Sequence, residues 1–120
     1  MEKYIGKSFD TYNCFDLVKE YYWDVKGLDI KHFWESSVVP PMKEVETLIC
    51  SNLGHFKKTA SPREGDLVVL RLFGIMCHVG IYAAPHNILH SVRHVGSCIE
   101  PLSKYKHVLE GFYFHNKEKK

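Results

Sequence analysis

Residues 76–92 read MCHVGIYAAPHNILHSV, two apolar runs joined by a short segment rich in turn formers. This pattern predicts an antiparallel hairpin, in which residues two apart along a strand share a face. If Tyr82 pairs with Ile88, then His78 and His90 become diagonal neighbours on one face of the hairpin. Two imidazole rings can meet across that distance, so we expect these side chains to lie together. A shift of register by one residue would separate them.

The sequence on either side of the hairpin continues the strand pattern. Residues 66–72 and 112–115 are predicted as further strands, and the turn sequence at 62–65 marks where the strands begin. Cys98 falls in a turn-rich stretch between them, which predicts a loop with an exposed thiol. The C-terminal half is therefore predicted to be sheet-like.

The N-terminal part contains the first predicted helix. Cys14, Val18, Tyr21 and Val25 recur at the spacing of one helix face, and Gly27 supplies a stop. Polar residues able to accept backbone N–H groups come directly before this face. The helix is therefore expected to begin at or just before Cys14, which places the thiol at a helix N-terminus.

A second helix is predicted from Met42, because apolar residues recur at three- and four-residue steps as far as Phe56. Gly54 is expected to end it, and Cys50 is expected to be an inert thiol in the core. Helices followed by strands indicate an α+β domain, with N-terminal helices packed on a C-terminal antiparallel sheet.

Length and composition fit one globular domain spanning residues 1–120. The chain has 45% hydrophobic and 25% charged residues, and at this length a core forms without disulfides or a structural metal. The net charge of +2 gives no argument for nucleic acid as a partner. No run of about 18 apolar residues is present, so a membrane span is not expected.

The N-terminal sequence and the cysteines bear on location and metals. The first residues, MEKYIGK, lack the apolar core of a secretory signal, so we expect synthesis in the cytoplasm. The four cysteines contain no C-x-x-C pair and no zinc-finger spacing with the histidines. The sequence therefore predicts no metal site.

Cys14, His78 and His90 form a candidate catalytic set. The thiolate is the nucleophile in cysteine chemistry, and a helix N-terminus and a nearby imidazole both favour it. Backbone N–H groups at the same helix end can stabilise an oxyanion. We expect His78 to take the Cys14 proton and later protonate a leaving amine, while His90 orients His78 through its other ring nitrogen.

The motifs around these residues resemble a known family, the NlpC-type cell-wall peptidases. In the family's order, the chain has NCFDLV at 13–18, GDLVV at 65–69, HVGIY at 78–82 and ILHS at 88–91. The resemblance spans nearly the whole chain. The form of the cysteine motif is most similar to the branch found in bacteriophage tail proteins.

This resemblance implies a papain-like fold with Cys14, His78 and His90 as catalytic residues and without a cofactor. It implies hydrolysis of an amide bond in peptidoglycan stem peptides, of the D-γ-glutamyl-diaminopimelate type. It also implies that Tyr4, loosely matched to a family tyrosine near the oxyanion, and Asn13 contact the substrate. Phage tail proteins are the partners that the branch implies, with delivery to the wall in a virion tail or by another route.

Two residues depart from the family pattern. The family usually has Asp before the nucleophile, where this chain has Asn13, and often a small residue two positions after it, where this chain has Asp16. Asn13 can still cap a helix, whereas a carboxylate at Asp16 would oppose thiolate formation at Cys14. Two alternatives follow: a structural tail or wall-binding component with little turnover, and a related amide hydrolase or acyltransferase on another substrate.

Overall fold

The computed structural model describes residues 2–30, 42–72 and 74–118, and within these ranges six antiparallel strands form one sheet. The strands lie side by side in the order β1-β6-β2-β3-β4-β5. In chain order they are β1 (Phe56–Thr59), β2 (Leu67–Leu72), β3 (Ile75–Ala83), β4 (Asn87–Val92), β5 (Gly96–Pro101) and β6 (Leu109–His115). Two helices precede them, which confirms the predicted α+β class.

The first helix, α1, covers Cys14–Tyr21 and continues into one wide π-helical turn, Tyr22–Lys26. The predicted start at Cys14 and the predicted stop are confirmed, and Gly27 takes a left-handed φ of 65°. The predicted apolar face is wrong at its last member, because the wide turn contains more residues than an α-helical turn. Tyr22 is buried there, whereas Val25 is 57% exposed.

The second helix, α2, covers Met42–Leu53 and ends where predicted, directly before Gly54. Phe56 does not extend its face but opens β1. Ile49 is fully buried, whereas Cys50 is exposed, so the expectation of a core thiol was wrong. Adjacent residues of a helix are rotated by about 100°, which turns Cys50 away from the buried side of Ile49.

The central hairpin forms in the predicted register. β3 and β4 are antiparallel, with Tyr82 opposite Ile88. Gly80 permits the close packing at this crossing, since an added Cβ would lie 2.8 Å from the Ile88 side chain and 2.9 Å from the Leu89 carbonyl oxygen. The hairpin therefore places His78 and His90 on the same face.

Two strands, β1 and β5, were not predicted from the sequence. β1 begins at Phe56, which was counted with the apolar face of the second helix, and β5 occupies residues assigned to turns. Cys98 therefore lies in a strand and is half-buried, in contrast to the predicted exposed loop. β6 begins at Leu109, earlier than predicted.

Apolar side chains pack on both faces of the sheet. The larger cluster joins the sheet to the helices, and Leu17 and Val79 are among its fully buried members. A smaller cluster on other strand positions contains Val68, Leu70 and Ile88. In the described part of the chain, neither helix is long and apolar enough to cross a membrane.

The segment before α1 is tied to the edge of the sheet at β5 and to β4. The Gly6 N–H donates to the Ser97 carbonyl oxygen, and the Ser97 N–H donates to the Lys7 carbonyl oxygen, each at 2.9 Å. The Ser91 hydroxyl of β4 donates to the carbonyl oxygen of Tyr12 at 2.5 Å. These bonds fix the chain just before α1 against the two strands that follow the hairpin turn.

Candidate active site

The start of α1 is held by a reciprocal cap around Cys14. The Asn13 side-chain oxygen accepts hydrogen bonds from the N–H groups of Phe15 and Asp16, each at 3.0 Å. The Asp16 carboxylate in turn accepts the Asn13 N–H at 3.1 Å. Such a capping box satisfies two N–H groups that a helix start leaves unpaired. Cys14 is the first residue of the helix and only 5% exposed, so its backbone is fixed at the positive end of the helix dipole.

The cap gives Asn13 and Asp16 a local structural role. Asp16 directs its carboxylate to the backbone that precedes Cys14, and the side-chain oxygen of Asn13 is engaged by backbone donors. Both departures from the family motif thus cooperate in one helix start. Substrate contact by Asn13 stays a prediction.

The two histidines meet as the hairpin register predicted. His78 Nε2 lies 2.8 Å from His90 Nδ1, and the ring centroids are 5.0 Å apart. His90 is fully buried and His78 is 9% exposed. Burial lowers the pKa of both histidines, because an imidazolium loses its hydration there, and for His78 the neighbouring His90 lowers it further. Both rings are therefore neutral near pH 7.

The hydrogen-bond chain continues beyond His90 to Glu100 on β5. His90 Nε2 lies 2.8 Å from Glu100 Oε1, and that oxygen also accepts the Tyr105 hydroxyl at 2.7 Å. The second oxygen of Glu100 accepts a hydrogen bond from the Lys104 ammonium. Burial alone would raise the pKa of Glu100, but the bonds from Lys104, Tyr105 and His90 outweigh it and lower the pKa to about 2.

Glu100 escaped the sequence prediction because β5 was assigned to turns. β5 pairs with β4 so that His90 is opposite Cys98 and Ile88 is opposite Glu100. Glu100 is therefore a diagonal neighbour of His90, just as His78 is on the other side. Cys98 is opposite His90, and Glu100 follows it by two residues, so both share a face of the strand. This period-two spacing is the signal that could have found Glu100.

Cys14 begins the helix that packs on the strands of this chain. α1 packs against both β3 and β4, the strands that carry the two histidines. The bond from Ser91 to the carbonyl oxygen of Tyr12 ties the residue before the cap to β4, next to His90. The start of α1 is thereby tied to the strands that carry the imidazole pair.

Tyr4 lies at the opposite end of the first helix. Its hydroxyl donates to the Asp24 carboxylate at 3.2 Å, in the π-helical turn, and its ring packs against Tyr21. Burial, followed by the hydrogen bond to Asp24, raises the pKa of Tyr4 to about 12. The hydroxyl is thus a neutral donor that Asp24 engages, and substrate contact by Tyr4 stays a prediction.

Within the described part of the chain, one cluster of three residues has the donor atoms of a metal site. Ligand atoms of His90, Cys98 and Glu100 all lie within 4.8 Å of one another. Both oxygens of Glu100 already accept hydrogen bonds, and one of the donors is the Lys104 ammonium, whose charge repels a cation. Burial and the Glu100 charge also raise the pKa of the Cys98 thiol, which disfavours the thiolate that binds metals. The arrangement thus fits a hydrogen-bond network better than a metal centre.

The helices and the antiparallel sheet define a papain-like α+β fold in which a cysteine begins the first helix and two histidines share a strand hairpin. The NlpC/P60 family model matches residues 3–113, so the chain belongs to the NlpC/P60 family. This confirms the family resemblance of the motifs.

A solved structure agrees with this assignment. The chain is similar to the crystal structure of the NlpC/p60 domain of the peptidoglycan hydrolase SagA, with a TM-score of 0.60 and 18% sequence identity. The match covers 93% of this chain and 89% of that chain. At this identity the likeness shows the shared fold. A comparison of the sequence with curated proteins gives no match.

Proposed function

We propose that this protein is a cysteine hydrolase that cleaves an amide bond in bacterial peptidoglycan. The observation that carries the proposal is the bond between His78 and His90 on strands against which the helix of Cys14 packs. Membership of the NlpC/P60 family supports the same conclusion. Cys14, His78 and His90 are then nucleophile, general base and orienting residue.

The proposed reaction follows from these roles. His78 accepts the proton of the Cys14 thiol, and the sulfur attacks the carbonyl carbon of the amide. The oxyanion forms at the positive end of the α1 dipole, beside the Cys14 N–H, and both stabilise it. The protonated His78 then gives its proton to the leaving amine, and a water molecule releases the acyl group from sulfur by the reverse sequence. The reaction needs no cofactor.

The substrate we propose is the stem peptide, cut at the D-γ-glutamyl-diaminopimelate bond. The SagA domain that shares the fold is described as part of a peptidoglycan hydrolase, which supports this substrate class. The motif form that resembles phage tail proteins supports delivery to the wall as part of a phage tail. Phage tail proteins are the partners of that route.

A digestion of purified sacculi tests the proposal. Wild-type protein is expected to release muropeptides from sacculi of the matching chemotype, and mass spectrometry identifies the bond that is cut. Cys14→Ala is expected to abolish release, whereas Cys50→Ala, which replaces an exposed thiol on α2, should leave release unchanged. Equal release by wild type and Cys14→Ala would overturn the proposal.

The structural alternative rested on Asn13 and Asp16 as signs of a weakened site. The capping box accounts for both residues as parts of a well-formed helix start, which favours the enzyme over a structural tail component. A hydrolase or acyltransferase acting on a substrate other than peptidoglycan would use the same three residues. Inert sacculi together with turnover of a small acyl amide would identify that alternative.

A further inference from the structure

We propose that Glu100 is a positioning residue that, acting through His90, determines which nitrogen of His78 is free to accept a proton. The inference deepens the proposed function and rests on it for the role of His78 as base. It concerns a strand, β5, and a 3-10 helix, Leu102–Val108, that contribute none of the three residues named so far.

The first step is the proton on His90. An ionised carboxylate carries no hydrogen and only accepts, so the 2.8 Å contact between Glu100 Oε1 and His90 requires a proton on His90 Nε2. Because the ring of His90 is neutral, its other nitrogen, Nδ1, then holds a lone pair. Glu100 thus selects one of the two tautomers of His90.

The tautomer of His90 in turn determines the tautomer of His78. His90 Nδ1 can only accept in the 2.8 Å contact with His78, so His78 Nε2 carries the proton of that bond. The lone pair of neutral His78 is left on Nδ1, which is the nitrogen not engaged by His90. A carboxylate on β5 therefore determines the basic nitrogen of a ring two strands away.

Proton transfer from Cys14 to His78 then needs no change in the position or protonation of Glu100. The S–H bond of Cys14 breaks and an N–H bond forms at His78 Nδ1, while the proton on His78 Nε2 stays in its bond to His90. The positive charge on His78 is stabilised by the negative charge of Glu100 across the His90 ring. No proton passes to the carboxylate, which acts through orientation and charge.

The 3-10 helix after β5 fixes the carboxylate itself. Lys104 and Tyr105 bond different oxygens of Glu100, and the Tyr105 ring stands edge-on to His90 at a centroid distance of 5.2 Å. The charged and titratable groups described at this cluster are His78 from β3, His90 from β4, Cys98 and Glu100 from β5, and Lys104 and Tyr105 from the helix. Tyr105 is a neutral donor, because burial raises the pKa of its hydroxyl.

Glu100→Gln tests the inference, because an amide can either accept from or donate to His90 Nε2. Nitrogen-15 NMR of the imidazoles is expected to show His78 and His90 with the proton on Nε2 in the wild type and mixed tautomers in the variant. Alkylation of Cys14 by iodoacetamide near pH 7, followed by peptide mass spectrometry, should slow by about tenfold, and kcat on sacculi fragments should fall by roughly 10- to 100-fold with little change in KM.

Glu110→Gln is the matched control, since Glu110 also accepts bonds from cationic side chains but contacts neither histidine. It should change none of these readouts. Glu100→Asp, which restores a carboxylate, should recover the wild-type tautomers and part of the rate. Tyr105→Phe gives a milder test that keeps the charge, with a loss of less than about tenfold.

Two results would overturn the inference: unchanged histidine tautomers in folded Glu100→Gln, or equal loss of rate in Glu100→Gln and Glu110→Gln. The NMR and alkylation measurements need no substrate. If the wild type proved inactive on sacculi while these two readouts behaved as expected, the proposed function would fail and the role of Glu100 would stand.

Discussion

Two glutamates in strands of the sheet accept hydrogen bonds from similar cationic partners but belong to different networks. Glu110 of β6 accepts a bond from Arg71 at 2.5 Å and lies 3.6 Å from the Lys58 ammonium. Glu100 of β5 is bonded by Lys104 and also by a fully buried histidine. The hydrogen bonds lower the pKa of both carboxyl groups against the opposing effect of burial.

The difference lies in where each network ends. The side chain of Arg71 is 42% exposed, so the network of Glu110 ends in solvent, where water can replace any partner. The network of Glu100 continues inward through His90 to His78, where a lost partner leaves a buried polar group unsatisfied. The same kind of ion pair is therefore weak in one place and determines the protonation of a buried ring in the other.

The largest difference between the two networks is expected when one hydrogen-bond partner of each glutamate is removed. His90→Ala removes a fully buried ring and both of its hydrogen bonds, so the free energy of unfolding should fall by about 2–4 kcal/mol. Arg71→Ala, at the exposed pair, should lower the urea midpoint only slightly. Urea denaturation followed by circular dichroism measures both, and equal losses would erase the contrast.

A smaller contrast is expected in the pH dependence of stability. Unfolded histidines take up protons near their ordinary pKa of 6.5, whereas burial lowers the pKa of folded His78 and His90, so stability should fall as the pH drops below about 6.5. The lowered pKa values of Glu100 and Glu110 add a loss that begins only below about 4.5.

His78→Gln isolates the histidine contribution in that measurement. Between about pH 8 and pH 5 the variant should lose less stability than the wild type, because one buried titrating ring is gone. Glu110→Gln should follow the wild type over the same range. Parallel curves for wild type and His78→Gln would show that the imidazole pair is hydrated or protonated in the folded state.

The smallest effect is expected from salt. Raising NaCl from about 0.05 M to about 1 M shortens the range of charge interactions and should weaken the exposed pair of Glu110 with Arg71. The bond of Glu100 to buried His90 should change little. The measured quantity is the difference in urea midpoint between wild type and Arg71→Ala at the two salt concentrations, which should shrink at high salt.

The sequence was sufficient to predict the hairpin and the meeting of His78 with His90. Period-two alternation gives each residue a face, and a short turn gives the register, so both predictions depend on neighbours along the chain. The position of Cys14 at a helix start was predictable for the same reason, since Asn13 is a good capping residue. The NlpC/P60 assignment followed from the order of these motifs along the chain.

Other features depend on contacts that sequence patterns do not encode. The π-helical turn at Tyr22–Lys26 exchanges Val25 for Tyr22 in the core, which a constant helical period cannot anticipate. β5 contains glycine and proline, so local propensity argued for turns, whereas pairing with β4 makes it a strand. Glu100, the last member of the hydrogen-bond chain that starts at His78, was missed together with that strand.

The bond from Ser91 to the carbonyl oxygen of Tyr12 joins residues far apart in the chain, one beside His90 and one just before the helix start of Cys14. β4 therefore anchors both the segment before Cys14 and the ring of His90. A small displacement of this strand would carry both groups in the same direction and leave their separation nearly constant.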